Sequence, residues 1–165
     1  MSTCNYNETG SVVRFSLITI SDTRTPVTDE SGPVMAQLVR ENGHQIISQL
    51  IVPDEPERIQ KAIYDQSGNA DVVCLSGGTG ISPRDQTYEA VRPLLDKELS
   101  GFGELFRLLS WEQVGSRSMM SRALAGTCSN LIIFALPGSP KGAKLAMEKL
   151  ILPEARHLVT ELYKQ

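Results

Sequence analysis

The chain has 165 residues, 41% of them hydrophobic and 21% charged, with a formal net charge of −3. That length suits one domain with a proper core, and the composition is that of a globular protein. There is no block of lysines or arginines, and no apolar run nears the ~20 residues that cross a bilayer, so neither a nucleic acid nor a membrane is an expected partner.

Residues 1–11 are polar and lack the basic and apolar regions of a secretory leader, so they read as a flexible tail before one domain over 12–165. Val12 to Ile20 is rich in β-branched residues and predicts a first buried strand, followed by the polar loop SDTRTPVTD. Ser31 and Pro33 open a helix through about Asn42, stopped by Gly43, with Val34, Met35, Leu38 and Val39 on its core face. Gln45 to Val52 predicts a second strand. Asp54, with Glu57 three residues later, resembles a capping box for a helix carrying Ile59, Ala62 and Ile63. Asp71 to Leu75 is the third strand, and the glycine-rich turn Ser76 to Asp85 leaves its carboxyl end.

Tyr88 to Leu95 and Phe102 to Val114 read as helices, and Ser118 to Leu124 as a further short one. Asn130 to Leu136 is the next strand, with Ala125 to Cys128 before it as the other arm of a hairpin. Pro137-Gly138-Ser139-Pro140 opens a helix through Leu150, and Pro153 starts the last one, with Leu158, Val159 and Leu162 as its apolar stripe. Strands alternating with helices at this spacing imply an α/β protein whose mostly parallel sheet is covered on both faces. Phe102 and Trp111 read as core or subunit-contact residues.

The cysteines are Cys4, Cys74 and Cys128, with no CxxC pair, and the histidines are His44 and His157. A Cys/His zinc site and a Ser-His-Asp arrangement therefore have no support. An odd cysteine count, with Cys74 inside a strand, reads as reduced thiols in the cytoplasm.

Three polar loops follow predicted parallel strands: 21–24, 76–85 and 137–141. The turn Pro53-Asp54-Glu55 joins them, so all converge on one sheet edge, where open α/β sheets bind ligands. The loop SGGTGISPRD matches neither the Walker A nor the dinucleotide pattern, yet its glycines allow a backbone anion nest. Asp54 and Asp85 beside such a nest are what a Mg²⁺–nucleotide site needs. Each also reads as a simple helix cap, and so does Ser139, whose helix start favours an anion. Arg24 and Arg84 read either as phosphate clamps or as solvated charges.

SDTR at Ser21–Arg24, PDE at Pro53–Glu55, SGGTGISPRD at Ser76–Asp85, GFGELFR at Gly101–Arg107, MSRA at Met120–Ala123 and LPGSPKG at Leu136–Gly142 resemble, in this order, the MoaB/MogA family of molybdenum-cofactor biosynthesis, its MoaB branch above all. The resemblance covers the chain from about Val13 to Leu162. It implies a three-layer α/β/α domain that binds molybdopterin and assembles as a trimer or as a hexamer of two trimers. In active relatives Mg-ATP adenylylates molybdopterin, pyrophosphate leaves, and a separate protein then inserts molybdate. Carried over by position, Asp85 and Asp54 match the functional aspartates, with Mg²⁺ coordination and phosphate placement as their implied roles. Gly77, Gly78, Thr79 and Gly80 would supply main-chain donors, and Ser139 and Lys141 would meet phosphate. Ser121 and Arg122 would line the pterin side, and Ser21 and Asp22 join the substrate-binding set. Two other readings remain: a molybdopterin carrier without chemistry, and an oligomer whose pocket is vestigial.

Overall fold

The computed structural model describes residues 11–164. Six strands form one sheet in the order β2-β1-β3-β6-β5-β4: β1 (Arg14–Ile20), β2 (Gln45–Val52), β3 (Val72–Ser76), β4 (Lys97–Glu98), β5 (Leu124–Cys128) and β6 (Leu131–Leu136). β2, β1, β3 and β6 run parallel, whereas β5 pairs antiparallel with β6, and β4 antiparallel with β5. The expected late hairpin is therefore present. β4 was not legible, because two charged residues carry no alternating pattern.

The inner parallel strands β1, β3 and β6 are buried on both sides, as a place between two helical layers requires, whereas β2 lies at the edge and is partly exposed. On one face Phe15, Leu17, Val72 and Phe134 meet helices α1 (Ser31–Glu41), α4 (Ser100–Val114), α5 (Pro140–Ala146) and α6 (Leu152–Leu162). On the other, Ile18, Val73, Leu75 and Ile133 meet α2 (Pro56–Tyr64) and α3 (Thr87–Val91). The three-layer expectation is met. Phe102 belongs to the first core, while Trp111 is 59% exposed.

Several local expectations shift. Asp54 does not cap α2: Glu55 holds the N-cap position and makes no side-chain cap bond. Residues 115–120 form a 3-10 turn, and Leu124 already belongs to β5, so the short helix over 118–124 is not formed. Between α5 and α6, Met147–Ile151 is a π-helical turn, so the expected helix through Leu150 continues into α6 without a loop. The expected tail over 1–11 lies, apart from Ser11, outside the described residues.

The start of α1 is tied to the ligand edge by Asp29. Its buried carboxylate accepts from the Thr19 hydroxyl (2.8 Å), the Ser31 hydroxyl (3.3 Å) and the Gly32 amide (3.2 Å). Ser31 in turn bonds Ser76 at 2.9 Å. A buried carboxylate with this many donors fixes the ends of β1 and β3 relative to α1.

Candidate functional site

The glycine loop is pinned from below. Gly77 donates its amide to the Leu136 carbonyl at 3.0 Å, and the Thr87 hydroxyl donates to the Gly77 carbonyl at 2.7 Å. Thr87 also donates its amide to the Gly78 carbonyl at 2.9 Å. Gly77 and Gly78 have φ of 109° and 66°, where an L side chain is strained. A Cβ on Gly78 would meet the Thr87 hydroxyl and sit 2.8 and 3.0 Å from the two Asp54 oxygens. One on Gly80 would sit 2.8 Å from Asp85 Oδ2. The missing side chains are what let both carboxylates close on the loop.

Of the four expected main-chain donors, Gly77 is already used by β6. The amides of Gly78, Thr79 and Gly80 bond no acceptor among the described residues. They form the open part of the nest.

Asp54 and Asp85 each have one oxygen engaged. Asp54 Oδ1 accepts the Gln86 amide at 3.1 Å, and Asp85 Oδ2 accepts the Ser82 amide at 2.8 Å. The second oxygen of each remains available. Burial raises the pKa of Asp54 above its ordinary value, and the nearby Asp85 and Asp22 charges add to this, against the Gln86 amide and Arg84. Asp22 moves the other way: its bond to Arg84 lowers its pKa, helped by the Asp54 amide, which donates to Asp22 Oδ1 at 3.2 Å. Arg84 ion-pairs with Asp22 Oδ2, so of the two readings of Arg84 the structure shows an ion-paired cation at the mouth of the loop.

No group of three or more His, Cys, Asp or Glu among the described residues is arranged to hold a metal. Two carboxylates with one open oxygen each still suit Mg²⁺, which keeps water and takes phosphate oxygens from a substrate.

Arg122 holds the other wall of the loop. Its Nε donates to the Gly80 carbonyl (2.8 Å) and its Nη2 to the Asp85 carbonyl (3.1 Å), while the fork closes on Glu89. Its amide donates to the Thr79 carbonyl at 3.0 Å, and its guanidinium lies over the Tyr88 ring at 5.1 Å. The ion pair with Arg122 lowers the pKa of Glu89. Arg122 thus braces the segment that carries Asp85.

Ser21 accepts the Thr23 and Arg24 amides at 3.2 and 3.1 Å, a local turn beside a cavity of about 190 Å³ shared with Asp29, Ser76 and Gly138. Arg24 bonds the Thr28 carbonyl at 2.6 Å. Ser139 caps α5 by accepting the Gly142 amide at 3.1 Å. Ser139, Lys141 and Ser121 border a separate groove of about 1200 Å³ between α4 and α5. The expected set therefore divides into a loop cluster (Asp22, Asp54, 77–80, Asp85) and a groove cluster.

Thr87 and Arg107 were not singled out from the sequence. Thr87 was hidden by placing the helix start one residue late. Arg107 lay within a recognised motif, but nothing in its spacing shows where the guanidinium lies.

Comparison with known proteins agrees with this geometry. A family model described as a probable molybdopterin binding domain matches residues 16–157. Molybdenum cofactor biosynthesis protein B of Bacillus cereus is 50% identical over 156 residues, 93% of this chain and 92% of its own length. The Bacillus subtilis protein of the same name is 48% identical over 160 residues, 95% and 94% of the two chains. A crystal structure of a molybdenum cofactor biosynthesis protein B superimposes with a TM-score of 0.91 at 49% identity, over 94% of this chain and 98% of that one. The tungsten cofactor synthesizing protein MoaB of Pyrococcus furiosus gives 0.85 at 35% identity, over 94% and 99%. The fold, the glycine loop with its two carboxylates and this likeness over nearly the whole chain agree: the protein belongs to the MoaB/MogA family of molybdenum-cofactor biosynthesis proteins.

Proposed function

We propose that this protein binds molybdopterin and adenylylates it with Mg-ATP, as a single cytoplasmic domain, ahead of molybdate insertion by a separate protein. The observation that carries the reading is the placement of Asp54 and Asp85 on either side of a glycine loop with three open amides. In the reaction a terminal phosphate oxygen of molybdopterin forms a bond to the α-phosphorus of ATP. The bond from that phosphorus to the oxygen bridging to the β-phosphate breaks, and pyrophosphate leaves with the electron pair.

The protein's work is positioning and charge neutralisation, with no covalent nucleophile needed. The amides of Gly78, Thr79 and Gly80 cradle phosphate oxygens. The open oxygens of Asp54 and Asp85 would hold a Mg²⁺ ion brought by ATP, which would supply charge neutralisation to the phosphate oxygens. Asp22 keeps Arg84 and the Asp54 turn in place, and Ser21 shapes the loop beside them. Ser139 and Lys141 serve a phosphate group at the groove, and Ser121 lies on the pterin side. Arg122, fully engaged with the loop, acts by holding Asp85.

Self-association as a trimer, or a hexamer of two trimers, is part of this reading. Leu105, Leu108, Trp111, Val114 and Met119 expose apolar side chains along α4 and the turn after it. A contiguous apolar face of this kind marks a protein–protein contact. Cys74 and Cys128 are buried free thiols, and burial raises the pKa of both, so they suit a reducing compartment. No helix among the described residues is long and apolar enough to cross a membrane.

The test is pyrophosphate release from purified protein given molybdopterin, ATP and Mg²⁺. Release that depends on molybdopterin supports the transfer. Saturable molybdopterin binding without release would make the protein a carrier.

A further inference from the structure

Four successive carbonyls of the glycine loop, those of residues 77–80, each accept a hydrogen bond, and Thr87 and Arg122 supply every donor. The Thr87 hydroxyl donates to the Gly77 carbonyl at 2.7 Å, and the Thr87 amide to the Gly78 carbonyl at 2.9 Å. The Arg122 amide donates to the Thr79 carbonyl at 3.0 Å, and Arg122 Nε to the Gly80 carbonyl at 2.8 Å. Both residues rest on one support. Thr87 opens α3, and the Arg122 guanidinium lies over Tyr88 and pairs with Glu89 of the same helix.

A peptide unit is planar, and in the trans form its N–H points opposite to its C=O. No peptide bond among the described residues is cis. The carbonyl of one residue therefore sets the direction of the next residue's amide. Bonds to the carbonyls of 77–80 turn the amides of Gly78, Thr79, Gly80 and Ile81 away from Thr87 and Arg122. None of these amides bonds an acceptor among the described residues. Ile81 thus extends the nest by one donor.

The Gly77–Gly78 unit is the one most able to flip, because it has a glycine on each side, with φ of 109° and 66°. Neither glycine has a side chain to select the orientation. The Thr87 hydroxyl selects it, from a side chain that is fully buried. A flipped unit would take the Gly77 carbonyl away from that donor and the Gly78 amide out of the nest.

We propose that Thr87 and Arg122 are positioning residues for phosphate binding: their bonds to the back of the loop hold the amides of residues 78–81 toward the substrate. This rests on the function proposed above. Donors fixed before the ligand arrives need no reorganisation when charge develops on the phosphate oxygens. The Thr87 hydroxyl acts through the backbone and does not touch the ligand.

The test is calorimetric titration of the full chain with inorganic pyrophosphate, without added Mg²⁺, so that only the protein's own donors are read. Thr87→Val keeps the shape of the side chain and removes the donor, so affinity should fall about tenfold. Thr87→Ser keeps the hydroxyl and should bind as wild type does. Arg122→Lys keeps the charge and the backbone bond to Thr79 but loses the bond to Gly80, so affinity should fall about threefold. This variant carries the test if Thr87→Val does not fold. Ile151→Val, in the core on the other face of the sheet, controls for stability: it should melt lower and bind pyrophosphate as wild type does. Wild-type affinity in Arg122→Lys and in folded Thr87→Val would overturn the proposal, and so would equal weakening in Ile151→Val. A wild type that binds no pyrophosphate would also overturn it. The expected ranking without any molybdopterin-dependent pyrophosphate release would end the adenylylation reading and leave the positioning role standing.

Discussion

Asp54 belongs to the turn after β2, yet its Oδ1 accepts the amide of Gln86, 32 residues further along, at 3.1 Å. That bond turns the carboxylate away from its own helix and onto Gly78. Asp54 also stands one residue before the N-cap position of α2, which Glu55 holds, so it does not cap that helix.

Asp54→Asn and Asp85→Asn should separate activity from stability. In Asp54→Asn the side-chain carbonyl oxygen can still accept the Gln86 amide, and removal of a carboxylate whose pKa burial raises relieves a cost at neutral pH. A folded-state pKa above the unfolded one means that stability is lost as pH rises through it, so the Asp54→Asn melting temperature at pH 7 should equal or exceed wild type. Pyrophosphate release should drop by about a hundredfold or more in each variant. Melting scans beside the activity assay check both halves, and a large drop in melting temperature for Asp54→Asn would contradict the first.

The acid limb of the pH profile should follow Asp54. With its pKa raised, the active carboxylate protonates at a higher pH than an exposed aspartate would. Arg84 opposes that rise, so Arg84→Ala should move the limb further up. Asp22→Asn removes a repelling charge and should move it down. Rate against pH for the three proteins reads these signs directly, and a limb that stays fixed in all of them would assign it to another group.

Gly78→Ala should damage the site through Asp54 rather than through the core. The substitution puts an L side chain at φ 66°, costing about 1–2 kcal/mol, and its Cβ crowds both Asp54 oxygens. Activity should fall well beyond what that loss of stability accounts for, measured by urea unfolding and turnover on the same samples.

Thr87→Val should destabilise the fold by about 1–3 kcal/mol, because it leaves the buried Gly77 carbonyl without its side-chain donor. Urea unfolding measures this, and no change would mean that water replaces the hydroxyl.

Leu108→Glu or Trp111→Glu should turn the proposed trimer or hexamer into a folded monomer, since each places a charge on the exposed apolar face of α4. Light scattering at micromolar concentration gives the answer, and an unaltered mass would move the interface elsewhere.

The strands of the parallel half were legible because each is rich in apolar, mostly β-branched residues and is ended by a polar, glycine or proline turn. The hairpin of β5 and β6 was legible from the turn between Cys128 and Leu131. β4 was not, because its two residues pair only through the backbone. The capping box at Asp54 and Glu57 misled because local spacing does not show that Glu55 holds the N-cap position, or that the Asp54 carboxylate meets an amide 32 residues away. The cap at Ser139 was legible because its partner, Gly142, lies within the same turn. The roles of the arginines depend on tertiary contacts. Arg122 is saturated and Arg107 is nearly free, although both lie in motifs of the same family.

The most direct measurement is pyrophosphate release by the purified full chain with molybdopterin, ATP and Mg²⁺, run beside Asp85→Asn. The expected result is release by the wild type that requires molybdopterin and is abolished in the variant. Equal release by both proteins, or none from a wild type that binds molybdopterin saturably, would contradict it.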